Sequence, residues 1–407
     1  MRHTTAASLI LGLVCLGVTA CQKLLPPAPA DNEILDGPIE GLTNEQRQIF
    51  LAGDIAFNDQ IFTPETGLGP IFVATSCGTC HAGDGRGHPF TTLTRFGQTD
   101  STGNMYANVG GPQLQNRANP GHTPESLPAN VASAQFTPPA NTGLGYLEAV
   151  SDATLIAMQD PTDSNGDGIS GVVNWVIMPD FLTPDPNAVV LGGRYIGRFG
   201  RKAAAINLLH QTVNAYIQDM GITSDYQMQD LFHFNNGVFG TDGCADPEVS
   251  GSAVNNVVFY LQTLKAPIRR NTDNADVMAG EQLFSQINCS GCHTPTLQTG
   301  YSPIAPLSFT TFHPYTDLLV HDMGAGLDDG YTEGTAFTSE WRTPPLWGLG
   351  LSPNSQGNQY FLMHDGRAHS LDEAIRMHGG EATNSVNAYQ VLTETERAQL
   401  ITFLESL

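Results

Sequence analysis

Basic residues are scarce in this chain of 407 residues: 17 Lys and Arg stand against 40 Asp and Glu, a formal net charge of −23. Such a surface argues against a nucleic-acid partner and against binding to an anionic lipid face. It suits a basic redox partner, and equally a surface that is simply well solvated. Long apolar runs are missing too. The apolar stretch Ala6–Ala20 is too short to span a bilayer and, behind Arg2 and His3, reads as an export signal. Thiols free to pair are also few. Of seven Cys, Cys15 lies in the signal, Cys21 ends it and four sit in two short motifs, so Cys244 has no internal disulfide partner and is expected to be a buried structural thiol.

The two short motifs are Cys77-Gly78-Thr79-Cys80-His81 and Cys289-Ser290-Gly291-Cys292-His293. Each is C-x-x-C-H: two thiols spaced to form thioethers to the vinyl groups of one haem, followed by a His that ligates its iron. Buried cysteine pairs or half-sites of structural zinc are the competing readings. Structural zinc, however, gathers four ligands from paired clusters, whereas these motifs lie far apart and each brings its own His. With Gly 43 and Pro 26 the chain is loop-rich for a packed enzyme, which a porphyrin-filled core tolerates.

A repeat sets the expected architecture. Ala52-Gly53-Asp54-Ile55-Ala56-Phe57 precedes the first motif and Ala279-Gly280-Glu281-Gln282-Leu283-Phe284 precedes the second. Both fall in helical patterns, 44–60 and 275–287. Closing helices are expected over 252–264 and 393–407, the last with Leu400, Phe403, Leu404 and Leu407 on one stripe. Helix, motif, variable middle and closing helix is the cytochrome c plan. The fold class expected is therefore mainly α, with two cytochrome c-like haem domains over 42–268 and 269–407, the first carrying a long loop-rich insertion. Within the insertion, 82–145 reads as loop, and 146–160 and 201–220 as helix. Residues 1–20 read as a lipoprotein signal and 21–41 as a tether. Leu16-Gly17-Val18-Thr19-Ala20-Cys21 resembles a lipobox, with Cys21 lipidated; an ordinary secretory signal cut nearby is the alternative. Gln22 after the Cys resembles outer-membrane sorting, which places the protein in the cell envelope, facing the periplasm. Asp163, Asn165 and Asp167, with Gly168 behind them, match the first half of a calcium loop, but position 12 is Asn174 rather than Glu. An isolated calcium and an Asx-rich turn without metal both remain open.

Further stretches span roughly residues 50–407: Gly111-Pro112-Gln113-Leu114-Gln115-Asn116-Arg117, Asp167-Gly168-Ile169-Ser170-Gly171, Gly197-Arg198-Phe199-Gly200, Asp219-Met220-Gly221-Ile222-Thr223-Ser224, His321-Asp322-Met323-Gly324, Trp341-Arg342-Thr343-Pro344-Pro345-Leu346-Trp347-Gly348 and His364-Asp365-Gly366-Arg367. On these the chain resembles the bacterial di-haem oxidoreductases, which carry peroxidase or thiol-oxidoreductase names and are related to the di-haem cytochrome c peroxidases and MauG-type enzymes. The resemblance implies two haem c groups. It implies His378, fourteen residues past His364, as sixth ligand of the second haem, with Met377, His369, His321 and Met323 as alternatives. It implies Asp219 as a catalytic acid, with Gln211 near the first iron. The relatives' distal His, about sixteen residues past the first motif, falls on Gly97, so the first haem has an open sixth position or one closed by His122 or His210. Where the relatives have a Trp between the haems this chain offers Phe199 or Arg201; Trp175, Trp341 and Trp347 are substitutes. The implied activity is reduction of hydrogen peroxide or an organic peroxide at the first haem, with electrons entering through the second from a cytochrome or cupredoxin. A pure electron carrier and a MauG-like oxidase are the alternatives.

Overall fold

The computed structural model describes residues 30–407 except Asn108, Asn236, Gly240 and Thr241. The signal segment and Cys21 lie outside the described residues. The helices that frame the site are α1 (Asn44–Asp54), α2 (Leu208–Asn214), α3 (Gly251–Thr263), α4 (Ala275–Gln286), α5 (Leu371–Met377) and α6 (Glu394–Ser406). Their starts are written locally. Thr43 and Gln46 form a reciprocal capping box on α1, Thr393 and Glu396 another on α6, and the Asn274 side chain accepts the first amides of α4.

The repeat seen in the sequence becomes two helix crossings of the same design. In α1, a Cβ at Gly53 would stand 2.1 Å from the Asn256 carbonyl oxygen and 2.6 Å from Tyr260 Cβ of α3; in α4, a Cβ at Gly280 would stand 2.1 Å from the Gln399 carbonyl oxygen and 2.6 Å from Phe403 Cβ of α6. Only a glycine lets the two backbones approach so closely. Four residues on, Phe57 meets Tyr260 (centroids 5.5 Å apart) and Phe284 meets Phe403 (5.3 Å). The same two rings lie 5.9 Å from His81 and 6.3 Å from His293. Each crossing thus aims an aromatic at the histidine of its own motif.

The strands correct the expectation of a mainly α chain: helix takes 35% and strand 12%. The ladders are short and antiparallel. In β1 (Leu93–Phe96) and β2 (Ser133–Phe136), Leu93 opposes Phe136. Strands β3 (Trp175–Ile177), β4 (Val190–Leu191) and β5 (Arg194–Ile196) form a sheet in the order β3-β5-β4. In β6 (Val320–Asp322) and β7 (Glu340–Arg342), His321 opposes Trp341. The β1–β2 ladder lies in the stretch 82–145 read as loop, where segments of four residues are too short to show a period-2 pattern.

Two further boundaries differ from expectation. The tether does not run to residue 41. Leu35 and Ile39 are buried, and the Ile39 amide donates to the Thr263 carbonyl (2.8 Å). Nor do the halves separate into compact units: Leu35–Leu407 packs as one, and ahead of it Asp31–Glu33 makes a single 3-10 turn. One hydrophobic cluster joins Phe50, Phe57 and Tyr260 to Leu297, Phe312, Leu318 and Trp347. The expected helix 201–220 starts only at Leu208, because Gly200 and Ala203 are left-handed (φ +84° and +54°) and the chain folds back, Phe199 pairing with Ala205. Among the described residues no helix is long and apolar enough to cross a membrane.

Candidate functional site

Each C-x-x-C-H motif opens onto its own cavity, about 1890 Å³ of atom-free space at the first and about 1400 Å³ at the second, mouths included.

In the first cavity, Cys77–Cys80 form one helical turn, capped by the Ser76 hydroxyl, which accepts from the Thr79 amide (3.2 Å). His81 follows and lines the cavity with Cys77 and Cys80. Burial holds its imidazole down to about 4, hence neutral, the form that can bind a metal. Its Nδ1 is turned toward the Pro139 carbonyl but stops short of a well-formed hydrogen bond.

Asp219 and Gln211 line this same cavity. A widened π-type turn, Ala215–Asp219, ends the helix begun by α2 and delivers Gln218 and Asp219 to the cavity wall; such turns are frequent at functional sites. The Asp219 carbonyl is tied down by the amides of Val73 (2.7 Å) and Ala74 (3.0 Å). Burial pushes the Asp219 carboxyl up to about 6, against the hydrogen bond it accepts from the Gln113 amide. Behind it stands a network that sequence reasoning missed. Arg95 donates to Gln218 Oε1 (2.6 Å) and pairs with Glu333 (2.9 Å), which in turn accepts from the Tyr331 hydroxyl (3.1 Å). Gln113 lies in a stretch that carries the family resemblance, so a signal existed for it; Arg95 and Glu333 lie in none.

Neither histidine considered for this cavity reaches it. His122 is exposed, and His210 is buried with Nδ1 accepting the Ile206 amide (3.2 Å). Met220 also lines the cavity, from within the hydrophobic core.

The second cavity is lined by Cys289, Cys292 and His293 and, from the end of α5, by His378. His293 Nδ1 is hydrogen-bonded to the Tyr315 carbonyl (3.0 Å) and His378 Nδ1 to the Ala374 carbonyl (2.7 Å). Each contact fixes the proton on Nδ1 and leaves Nε2 as a donor atom. Burial lowers both imidazoles, His293 to about 4. Met377 and His369 do not line the cavity; Met323 and His321 do. His321 has both nitrogens engaged, with Asp317 (2.9 Å) and Glu381 (2.7 Å). Those bonds, with Cys292 close by, raise its affinity for a proton in spite of burial. His364 stacks on Trp341 (3.6 Å, 9°) and bonds Asp329 (2.8 Å).

Trp341 lines the second cavity and Trp347 the first, while Trp175 lines neither. Phe199 lines the first, and Arg201 lines both. Cys244 is half-exposed rather than buried, its thiol 3.6 Å from the Pro64 carbonyl. In the Asp163–Asp167 loop the side-chain oxygens accept the loop's own amides: Gly168 donates to Asp163 (3.1 Å), Asp167 to Asn165 (3.0 Å) and Ile169 to Asp167 (2.9 Å). This is the geometry of Asx turns, and no group of three or more His, Cys, Asp or Glu poised to hold a metal ion occurs among the described residues.

Among solved structures, hydrazine synthase from Kuenenia stuttgartiensis, pressurised with 20 bar xenon, is similar at 14% identity over 94% of this chain and 98% of that one, with a TM-score of 0.39, a likeness too loose to bear on the chemistry. No curated protein matches the chain. A family model described as "Di-haem oxidoreductase, putative peroxidase" matches residues 133–407, a span that holds the second C-x-x-C-H motif and Asp219 but not the first motif. That match covers well over half of the chain, which therefore belongs to the di-haem oxidoreductase family.

Proposed function

We propose that this chain is a c-type di-haem peroxidase of the cell envelope, with two cytochrome c-like haem units inside one packed body. Cys77 and Cys80 hold one haem covalently with His81 as its ligand; Cys289 and Cys292 hold the other, ligated by His293 and His378. The observation that carries this reading is an asymmetry. The second cavity presents two imidazoles, His293 and His378, each hydrogen-bonded through Nδ1, whereas the first presents His81 alone, together with a buried carboxyl lifted to about 6.

Bound in the first cavity, a haem would supply redox-active iron. The Asp219 carboxylate takes the proton from the near peroxide oxygen and returns it to the leaving one; in all, two electrons and two protons convert hydrogen peroxide to two waters, or an organic peroxide to an alcohol and water. Gln113 orients that carboxylate, and Arg95 holds Gln218 beside it. Gln211 is a further polar contact for substrate. Electrons enter at the second haem from a basic cytochrome or cupredoxin drawn by the acidic surface. A lipid on Cys21 anchors the chain on the periplasmic side of the envelope, because the lipobox ends in Cys21 and Gln22 follows it.

The test is the resting optical and EPR spectrum, followed by peroxide added to the half-reduced protein. One low-spin haem and one high-spin haem that reacts with peroxide are expected. Two low-spin, unreactive haems would transfer the case to the electron-carrier reading.

A further inference from the structure

The two cavities share a wall made by Arg86, Arg201, Arg342, Pro344 and Leu349. Three of the five are arginines, and each is held by backbone carbonyls rather than by acids. Arg86 donates to the carbonyls of Phe361 (3.1 Å) and Met363, Arg201 donates from Nε to that of Thr137 (2.8 Å), and Arg342 donates from Nε to that of Gly200 (2.9 Å). The Arg342 amide also donates to the Arg201 carbonyl (3.0 Å), which locks the two together.

None of the three has an ion pair among the described residues. The carboxylates that act on them from farther off are already taken: Asp365 pairs with Arg367 (2.7 Å) and Asp317 with His321 (2.9 Å). Arg201 and Arg342 are only 6% and 8% exposed, and Lys202, next along the chain, is spent on the carbonyls of Phe337 and Glu340 (2.7 Å each). Burial lowers the affinity of all three guanidiniums for their protons, and mutual repulsion adds to this at Arg201. Uncompensated buried cations are costly, and a guanidinium fork matches a carboxylate. The cavities beside this wall are those assigned above to the haems.

We infer that Arg86, Arg201 and Arg342 form one carboxylate-binding block shared by the two cavities, holding propionate arms of both haems. The inference rests on the di-haem reading. It makes these arginines positioning residues that bias both irons at once: a cation held near each iron favours its reduced, less positive state.

Potentiometric titration of the holoprotein separates this from the peroxidase reading, since it needs no turnover. In Arg201→Gln both haem couples are expected to shift to lower potential, and Arg201→Lys, which keeps the charge, should recover much of the shift. Movement of one couple alone, or of neither, overturns the shared block while leaving the haems in place. A protein whose mass shows no haem overturns the di-haem reading, and the block with it. If Arg201→Gln loads poorly, the resonance Raman propionate bending bands of Arg201→Lys decide: both haems should show altered hydrogen bonding, and unchanged bands reject the inference.

Discussion

Burial lifts the Asp219 carboxyl to about 6, so this group changes charge close to neutral pH. The sign follows directly. Below that value the acid is protonated and cannot accept the peroxide proton, so peroxide reduction should rise as the pH climbs through about 6 and then level off. Asp219→Asn should lose this limb and fall by at least about 10²-fold, the lower end of general acid–base catalysis, with both haem spectra unchanged. Stopped-flow pH profiles of the two proteins check this; equal profiles would leave Asp219 a structural residue. In the second cavity, His378→Ala should turn one haem from low to high spin by EPR, and an unchanged spectrum would mean that another donor holds that site. Trp341 is placed differently. It meets Phe136 of the first cavity edge-on at 5.6 Å, but Lys202 Nζ lies 4.0 Å from its ring centroid. A cation over the indole face is itself a packing interaction, so both contacts hold Trp341 as a packed residue beside the second cavity.

At the scale of elements, the two helix crossings do the holding. Because Gly280 faces a backbone carbonyl that cannot swing aside, Gly280→Ala should destabilise the holoprotein by about 1–3 kcal/mol or more, as overpacking does. Gly326→Ala is the control: its added methyl meets nothing within 4 Å, and its melting temperature should barely move. Equal melting temperatures for the two variants would show that the close approach is not needed. The turn from Gly200 to Ala203 matters in another way. A continuous helix from residue 201 would place successive side chains about 100° apart around one axis, whereas the left-handed turn sends Arg201 to the wall between the cavities and Lys202 to the carbonyls of Phe337 and Glu340.

For the whole molecule, the reading of two covalent haems requires two haem additions in the mass of the denatured protein; one or none would remove either the first site or both. Lipidation at Cys21 requires that Cys21→Ser release the protein from the membrane fraction, and a variant that still sediments with membranes would place the anchor elsewhere. The packing of Leu35–Leu407 as one unit has a further consequence. Phe312 and Trp347, far along the chain, share a cluster with Phe50 and Tyr260, so the halves are not expected to behave as independent haem carriers.

What the sequence determined by itself is what neighbours along the chain can write. The two C-x-x-C-H motifs, the capping boxes at Thr43 and Thr393, the helix Leu371–Met377 ahead of His378 and the paired Gly53/Phe57 and Gly280/Phe284 patterns all use spacings of a few residues, where backbone geometry alone decides who meets whom. Resemblance added His378 and Asp219, each now found lining a cavity. What only the tertiary structure decided is the walls. Arg95 finds Glu333 across 238 positions, and Arg86, Arg201 and Arg342 converge from a loop, a left-handed turn and the end of a three-residue strand. No local period marks such residues. Their placement follows from ordering distant segments around a shared core, and the free energy that selects it is the burial of that core rather than any propensity of the residues themselves.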